Sequence, residues 1–157
     1  MTLLPKDDIV PIATNRKAGF EYHLFESFEA GVVLVGTEVK AIREGRANLV
    51  ESFCRVDQGE VFLYDAHIGA YSHRGSSEHD PTRRRKLLLH KDEINKLIGK
   101  SVEKGMTIVP LRMYFKKGRV KVAIALAKGK KIYDKRETIR KREAERETRA
   151  AVKSRLR

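Results

Sequence analysis

Residues 107–127 read TIVPLRMYFKKGRVKVAIALA. Val109, Leu111, Met113 and Phe115 recur at every second position, and so do Val120, Val122, Ile124 and Leu126. A period of two is that of a β-strand, whose successive side chains point to opposite faces. Lys116-Lys117-Gly118 between the two runs supplies a tight turn. The stretch therefore predicts an antiparallel hairpin with one buried face, and the rest of the chain must supply what covers that face.

Upstream, His90 to Ile98 reads as a short helix with Ile94, Leu97 and Ile98 on one side and Gly99 as terminator. Leu87-Leu88-Leu89 precedes it, and Ser72 to Pro81 is a polar loop for which disorder is expected. Phe53 to Val56 and Glu60 to Tyr64 flank Asp57-Gln58-Gly59, a hairpin signal with glycine at the left-handed position. His67 to Tyr71 reads as a further short strand, and Ala47 to Val50 as a connector. Thr37 is placed to cap a helix from Glu38 to Glu44, closed by Gly45. Phe20 to Phe28 and Val32 to Val35 are apolar runs separated at Gly31, a position for a bulge or bend. Asn15 to Gly19 reads as a turn, and residues 1–13 as a flexible lead-in.

About six strands with two short helices cannot form an open sheet covered on one face, so the sheet must close on itself. The expected fold is dominated by β-structure: a small antiparallel six-stranded barrel of the oligonucleotide-binding type, with short helices and a basic C-terminal tail. Barrels of this kind commonly bind nucleic acid, although a fold alone does not establish a function.

Downstream of the hairpin, Lys128 to Arg157 holds 13 Lys/Arg against 5 Asp/Glu, a net of +8 that leaves +5 of the chain's +13 for residues 1–127. Its few large apolar residues (Ile132, Tyr133, Ile139, Val152 and Leu156) never recur at the spacing of a core-facing helix, yet the segment is rich in helix formers. Asp134-Lys135-Arg136-Glu137 reads as a capping box. Glu137 to Lys141 and Glu145 to Arg149 are acid-first pairs contributing roughly 0.2–0.5 kcal/mol each, opposed by Arg136/Arg140 and Glu143/Glu147. A marginal helix with no face to bury awaits an anionic partner.

The charge balance favours phosphate polyanions. The tail lacks the Leu/Phe/Trp face of an interfacial helix, no apolar run is long enough for a membrane span, and MTLLPKDDIVP reads as neither signal peptide nor anchor. No membrane partner is expected, and the lone Cys54 reads as a small buried hydrophobe in a reducing cytoplasm. His23, His67, His73, His79 and His90 form no metal-ligand spacing, and no nucleophile motif or phosphate-cradling glycine loop occurs. No metal, cofactor or catalytic residue is expected; the enzyme alternative is a small nuclease using Asp65, His67 or His79. Cations gather beside turns at Asn15-Arg16-Lys17, at Lys40 with Arg43 and Arg46, at Arg83 to Lys86, and at Lys128-Gly129-Lys130-Lys131. Tyr22, Tyr71, Tyr114 and Tyr133 are either core residues or stacking platforms for bases.

Several spaced motifs go further. Asn15-Arg16-Lys17-Ala18, Phe28-Glu29-Ala30-Gly31, Gly36-Thr37-Glu38-Val39-Lys40 with Arg43, Gly45 and Asn48-Leu49, Arg85-Lys86-Leu87-Leu88-Leu89, Val109-Pro110, and Lys128-Gly129-Lys130-Lys131 before Asp134-Lys135-Arg136 stand in one order. With these the chain resembles, over nearly its whole length, the SsrA-binding protein (small protein B) family. It departs at Ile68-Gly69-Ala70-Tyr71, where that family usually places a proline before the tyrosine.

The resemblance implies a non-catalytic adaptor that binds the tRNA-like domain of transfer-messenger RNA and delivers it to stalled ribosomes for trans-translation. It implies an RNA-binding barrel over residues 14–133, with Asn15, Tyr22, Glu29, Glu38, Lys40, Leu88, Lys121, Lys128, Lys130 and Lys131 at or supporting the RNA face. Arg16, Lys17, Arg43, Arg85 and Lys86 join them from the basic patches. Glu29 and Glu38 would accept from base or sugar donors or hold a neighbouring cation, and Leu88 would pack on an exposed base. Residues 134–157 would be disordered when free and helical in the decoding region and mRNA channel, presenting Asp134, Lys135, Arg136, Arg140, Lys141, Arg142, Arg146, Arg149, Lys153 and Arg155. The expected protein is a monomer when free, cytoplasmic and transiently bound to ribosomes. The alternative is a barrel protein of the ribosomal or initiation-factor type that binds ribosomal RNA alone.

Overall fold

The computed structural model describes residues 9–72, 79–103, 105–130 and 132–155. In chain order its elements are β1 (Ile9–Thr14), α1 (Ala18–Glu21), β2 (Tyr22–Val32), α2 (Gly36–Arg43), β3 (Ala47–Asn48), β4 (Phe53–Asp57), β5 (Glu60–Tyr64), β6 (His67–Ile68), β7 (Arg85–Leu88), α3 (Lys91–Glu103), β8 (Thr107–Lys116), β9 (Arg119–Gly129) and α4 (Ile132–Arg155).

The opening stretch is the hairpin β8–β9, with register running from Thr107↔Ala127 to Lys116↔Arg119. Its turn is shorter than the three residues the sequence suggests. Lys117 (φ 51°) and Gly118 (φ 77°) alone make it, as Gln58 (φ 51°) and Gly59 (φ 76°) do between Asp57 and Glu60 in β4–β5. Two consecutive left-handed residues match the twist of the strands they join.

Strands β8, β4, β5, β7, β2 and β9 pair antiparallel in that order, and β8 pairs with β9 again, giving a ring of six. This is the expected six-stranded arrangement. The ring is unevenly sewn: β4 meets β8 through Cys54↔Ile108, and β2 meets β7 through Gly31↔Leu88 and Val32↔Leu87. The interior holds Ala30, Cys54, Val61, Leu63, Leu87, Ile108, Met113, Val122, Ile124 and Leu126, all buried. Helix α2 adds Ala41 and Ile42, and α3 adds Leu97.

One expected alternation breaks. Val109 and Leu111 do not share the face of Met113 and Phe115, because the β8–β9 register shifts between Pro110 and Arg112. A bulge adds a residue and exchanges the two faces beyond it. Ile108 and Met113 therefore enter the ring, while Val109 and Leu111 join a second cluster with Ala18, Tyr22 and Ala127.

Other boundaries differ for local reasons. Residues 9–13 of the expected lead-in are β1, an antiparallel partner of β8; residues 1–8 lie outside the described residues. The two apolar runs around Gly31 form the continuous strand β2 up to Val32. Helix α2 starts at Gly36, and Glu38 rather than Thr37 supplies the cap, its Oε1 accepting the Val35 N–H at 2.8 Å. Gly99 does not end α3, which continues to Glu103; Gly105 takes the left-handed conformation (φ 60°) just beyond. The connector and the short strand near His67 pair as β3 and β6 in a separate two-stranded sheet. Of the polar loop, residues 73–78, with His73, lie outside the described residues, whereas His79 is tied to Thr37 and to the Ile68 carbonyl, both at 2.9 Å.

Candidate nucleic-acid interface

Strand β2 has functional candidates at both ends. At its C-terminal end Gly31 faces Leu88 on β7 and Lys121 on β9. A Cβ at Gly31 would lie 3.3 Å from Leu88 Cβ and 3.8 Å from Lys121 Nζ, so the bare glycine lets both side chains close over it. Leu87 is buried and Leu88 is 51% exposed, an apolar side chain held outward beside a cation. Two residues earlier, Glu29 accepts from the Tyr114 hydroxyl at 2.5 Å and from Lys116 Nζ at 3.2 Å. The tyrosine hydrogen bond first, and then Lys116 and Lys121, outweigh partial desolvation and hold the Glu29 carboxyl below the usual carboxylate range. Burial, then the same bond to Glu29, pushes the Tyr114 phenol up to about 12. Tyr114 is 4% exposed, so it props Glu29 and offers no stacking surface.

Glu38 and Arg85 belong to the frame beneath this face. Both are 0% exposed. Arg85 donates through Nε to Glu38 Oε2 at 2.6 Å and through Nη1 to the Ala66 carbonyl at 2.8 Å, while Arg83 Nη2 reaches Glu38 Oε1 at 2.6 Å. Burial would raise the Glu38 pKa, but donation from Arg83, the Val35 N–H and Arg85 lowers it below its ordinary value. Arg85, assigned to the RNA face from its patch, is thus turned inward: a guanidinium seated on a buried carboxylate is not available to a phosphate. Glu38 holds two cations, Arg83 and Arg85.

At the N-terminal end of β2, Tyr22 pairs with Gly129 and His23 with Lys128. Asn15 donates its side-chain amide to the Pro110 carbonyl at 2.9 Å, and Lys130 Nζ donates to the Gly19 carbonyl at 3.1 Å. Lys17 bridges to Glu51 at 2.8 Å on the surface, and this contact raises its pKa. A cleft of about 360 Å³ lies between Asn15, Lys17, Tyr22, Glu51, Phe53 and Arg55. Arg16 and Lys128 are exposed, and Tyr22 is half-buried in the second cluster. Nine residue steps of strand run from Tyr22 to Gly31, at most about 30 Å at 3.3 Å per step.

Helix α4 follows. It begins at Ile132, so Asp134 lies within the first turn rather than at the cap position. Arg136, Arg140, Lys141, Arg142, Arg146, Arg149 and Lys153 are all exposed. Lys131 lies outside the described residues, as do the side chains of Tyr133, Asp134, Lys135 and Arg155. Lys40 on α2 lies over the Tyr71 ring at 5.4 Å, Lys86 on β7 stands 3.6 Å from Glu60, and Arg43 at the end of α2 is exposed.

Sequence reasoning missed Lys116 and Gly31 as parts of the face. The alternation of Tyr114 with Lys116 on a strand whose other parity is buried was the available signal; the approach of β7 to Gly31 had none. Among the described residues no group of three or more His, Cys, Asp or Glu could hold a metal, and no helix is long and apolar enough to cross a membrane.

Comparison with known proteins agrees with this geometry. The chain is 56% identical over 146 residues to the SsrA-binding protein of Shouchella clausii, covering 93% of this chain and 94% of that one. It is 53% identical over 152 residues to the SsrA-binding protein of Halothermothrix orenii, covering 97% and 98%. A solved structure described as "tmRNA-SmpB: a journey to the center of the bacterial ribosome" matches with a TM-score of 0.67 and 43% identity, over 83% of this chain and 96% of that one. The family model described as SmpB protein matches residues 12–154. With the ring, the face around Gly31 and the basic helix in place, the chain belongs to the SmpB protein family.

Proposed function

We propose that this chain is an RNA-binding adaptor that holds transfer-messenger RNA and acts with it on the ribosome in trans-translation. The observation that carries this reading is the placement of two different basic surfaces at opposite ends of β2: a rigid face on the ring and an exposed helix leaving it. The ring takes the tRNA-like domain. Lys121 and Lys116 offer charge to the backbone, Leu88 offers an apolar seat for an exposed base, and Glu29 is fixed in its ionised form to accept from base or sugar donors. Helix α4 enters the decoding region and the empty mRNA channel, where its cations meet ribosomal RNA phosphates. Away from the ribosome it exchanges with coil, because acid-first pairs of a few tenths of a kcal/mol do not hold a helix that buries no face. The chain performs no catalysis, and its setting is the cytoplasm.

Binding competition tests the reading. Nanomolar binding of transfer-messenger RNA, with transfer RNA and bulk structured RNA binding far more weakly, is expected at fixed salt. Equal affinity for all three would favour a barrel protein that binds ribosomal RNA alone. Cleavage of structured RNA in the presence of Mg²⁺ would contradict the non-catalytic role.

A further inference from the structure

The resemblance puts Asn15 and Lys130 at or supporting the RNA face; in the structure their bonds run to α1 and β8. Helix α1 has four residues and no side-chain cap. A single turn does not persist unaided, since nucleating a helix costs more than its first bond returns. Three contacts hold it. At its start, the Asn15 N–H donates to the Leu111 carbonyl at 2.8 Å and the side-chain amide to the Pro110 carbonyl at 2.9 Å. These acceptors sit at the β8 bulge, where the ladder leaves a residue unpaired. Beneath it, Ala18 is buried with Val109 and Ala127. At its end, the Lys130 N–H donates to the Glu21 carbonyl at 2.8 Å and Lys130 Nζ to the Gly19 carbonyl at 3.1 Å.

The same Lys130 ammonium donates to Thr138 Oγ1 at 2.8 Å. Thr138 is the one half-buried side chain among those described on α4; its neighbours from Arg136 to Lys153 are exposed. One cation thus joins the end of α1 to the second turn of α4.

We propose that α1 is a socket that sets the direction in which α4 leaves the ring, with Asn15 and Lys130 as its positioning residues. The socket holds the first two turns of α4 and leaves the distal turns to exchange with coil. It rests on the reading above that α4 is a reaching element, but it concerns geometry rather than affinity.

Spin labels at Arg119→Cys and Ile139→Cys, the latter exposed and within the second turn of α4, measure that direction in the full chain; Cys54 is buried and its thiol pKa is pushed up, so it does not take a label. The expected result is a narrow distance distribution that broadens in Thr138→Val and in Lys130→Met. The double variant adds nothing beyond Lys130→Met, because that change already removes the bond that Thr138→Val breaks, and Lys130→Arg restores the narrow distribution. Thr138→Val removes no charge, so its affinity for transfer-messenger RNA stays within about twofold and its salt slope is unchanged. A distribution unmoved in both single variants overturns the proposal. So does a Lys130→Met variant whose only defect is a salt slope lower by about 0.7–0.9, which would make Lys130 a phosphate contact. Failure of the adaptor reading would appear separately, as an unaltered chain that does not prefer transfer-messenger RNA.

Discussion

Glu38 meets Arg85 at 2.6 Å with both side chains fully buried, whereas Glu145 meets Arg149 at 3.9 Å with 54% and 80% of those side chains exposed. The first pair joins α2 to β7 and the second lies along α4. In the ring, carboxylates fix cations: Glu38 holds Arg83 and Arg85, Glu26 holds Lys96 and Lys100, and Asp57 holds Arg84. Along α4 the cations whose side chains are described stand in solvent. Several of the ring's cations are therefore engaged in holding its own shape, and on the reading proposed above selectivity for RNA would rest on outline and a few placed side chains. The tail keeps its charge for whatever groove receives it.

The sharpest way to break this comparison is to cut the chain after Asp134. Tagging of nascent chains on stalled ribosomes is expected to disappear, while the ring's affinity for transfer-messenger RNA changes by no more than about threefold, the tail's phosphate contacts lying on another partner. Loss of both activities together would show that ring and tail share one partner.

Glu38→Gln comes next. It leaves the Arg85 guanidinium buried without its counter-charge, at a cost of about 3–5 kcal/mol in urea unfolding. Glu145→Gln in the tail is expected to change stability by no more than about 0.5 kcal/mol. Equal effects would erase the distinction between the two ion pairs.

A smaller effect concerns acid. The pKa values of Glu38 and Glu29 are held below the ordinary carboxylate value in the folded ring. Their contribution is fully present above the unfolded carboxyl pKa of about 4.3 and is lost as pH falls through the lower folded values. Urea midpoints are expected to be flat from neutral pH down to about 5 and to fall below that, less steeply in Glu38→Gln. The smallest effect is Lys121→Ala, which should lower the salt slope of transfer-messenger RNA binding by about 0.7–0.9. An unchanged slope would take Lys121 off the backbone and leave Leu88 as the main contact at that end.

Much of this was legible in the chain itself, and the exceptions share a cause. The β8–β9 hairpin and the β4–β5 hairpin are local, and alternation with a glycine turn announces each. The bulge between Pro110 and Arg112 carries no glycine, and its effect on which face Val109 takes depends on α1, more than eighty residues upstream. Helix α1 reads as a turn because Asn15 to Gly19 contains two cations and a glycine; only Ala127 and Val109 packing on Ala18 make it a helix. Arg85 looked like one more cation in a basic run. Its partner stands 47 residues earlier, and nothing in the spacing links Glu38 to it. Resemblance could mark such positions as important without saying whether they touch RNA or hold the frame.

Twenty-four residues of helix extend about 36 Å at 1.5 Å per residue. Once the ring and its RNA are together seated on the ribosome, the far turns of α4 would be confined to a half-sphere of about that radius, a local concentration on the order of ten millimolar. A groove that holds the tail with only millimolar affinity would then be occupied most of the time, and emptied as soon as the ring lets go. Tight binding by the ring and weak binding by the tail together give an attachment that is both secure and quick to clear.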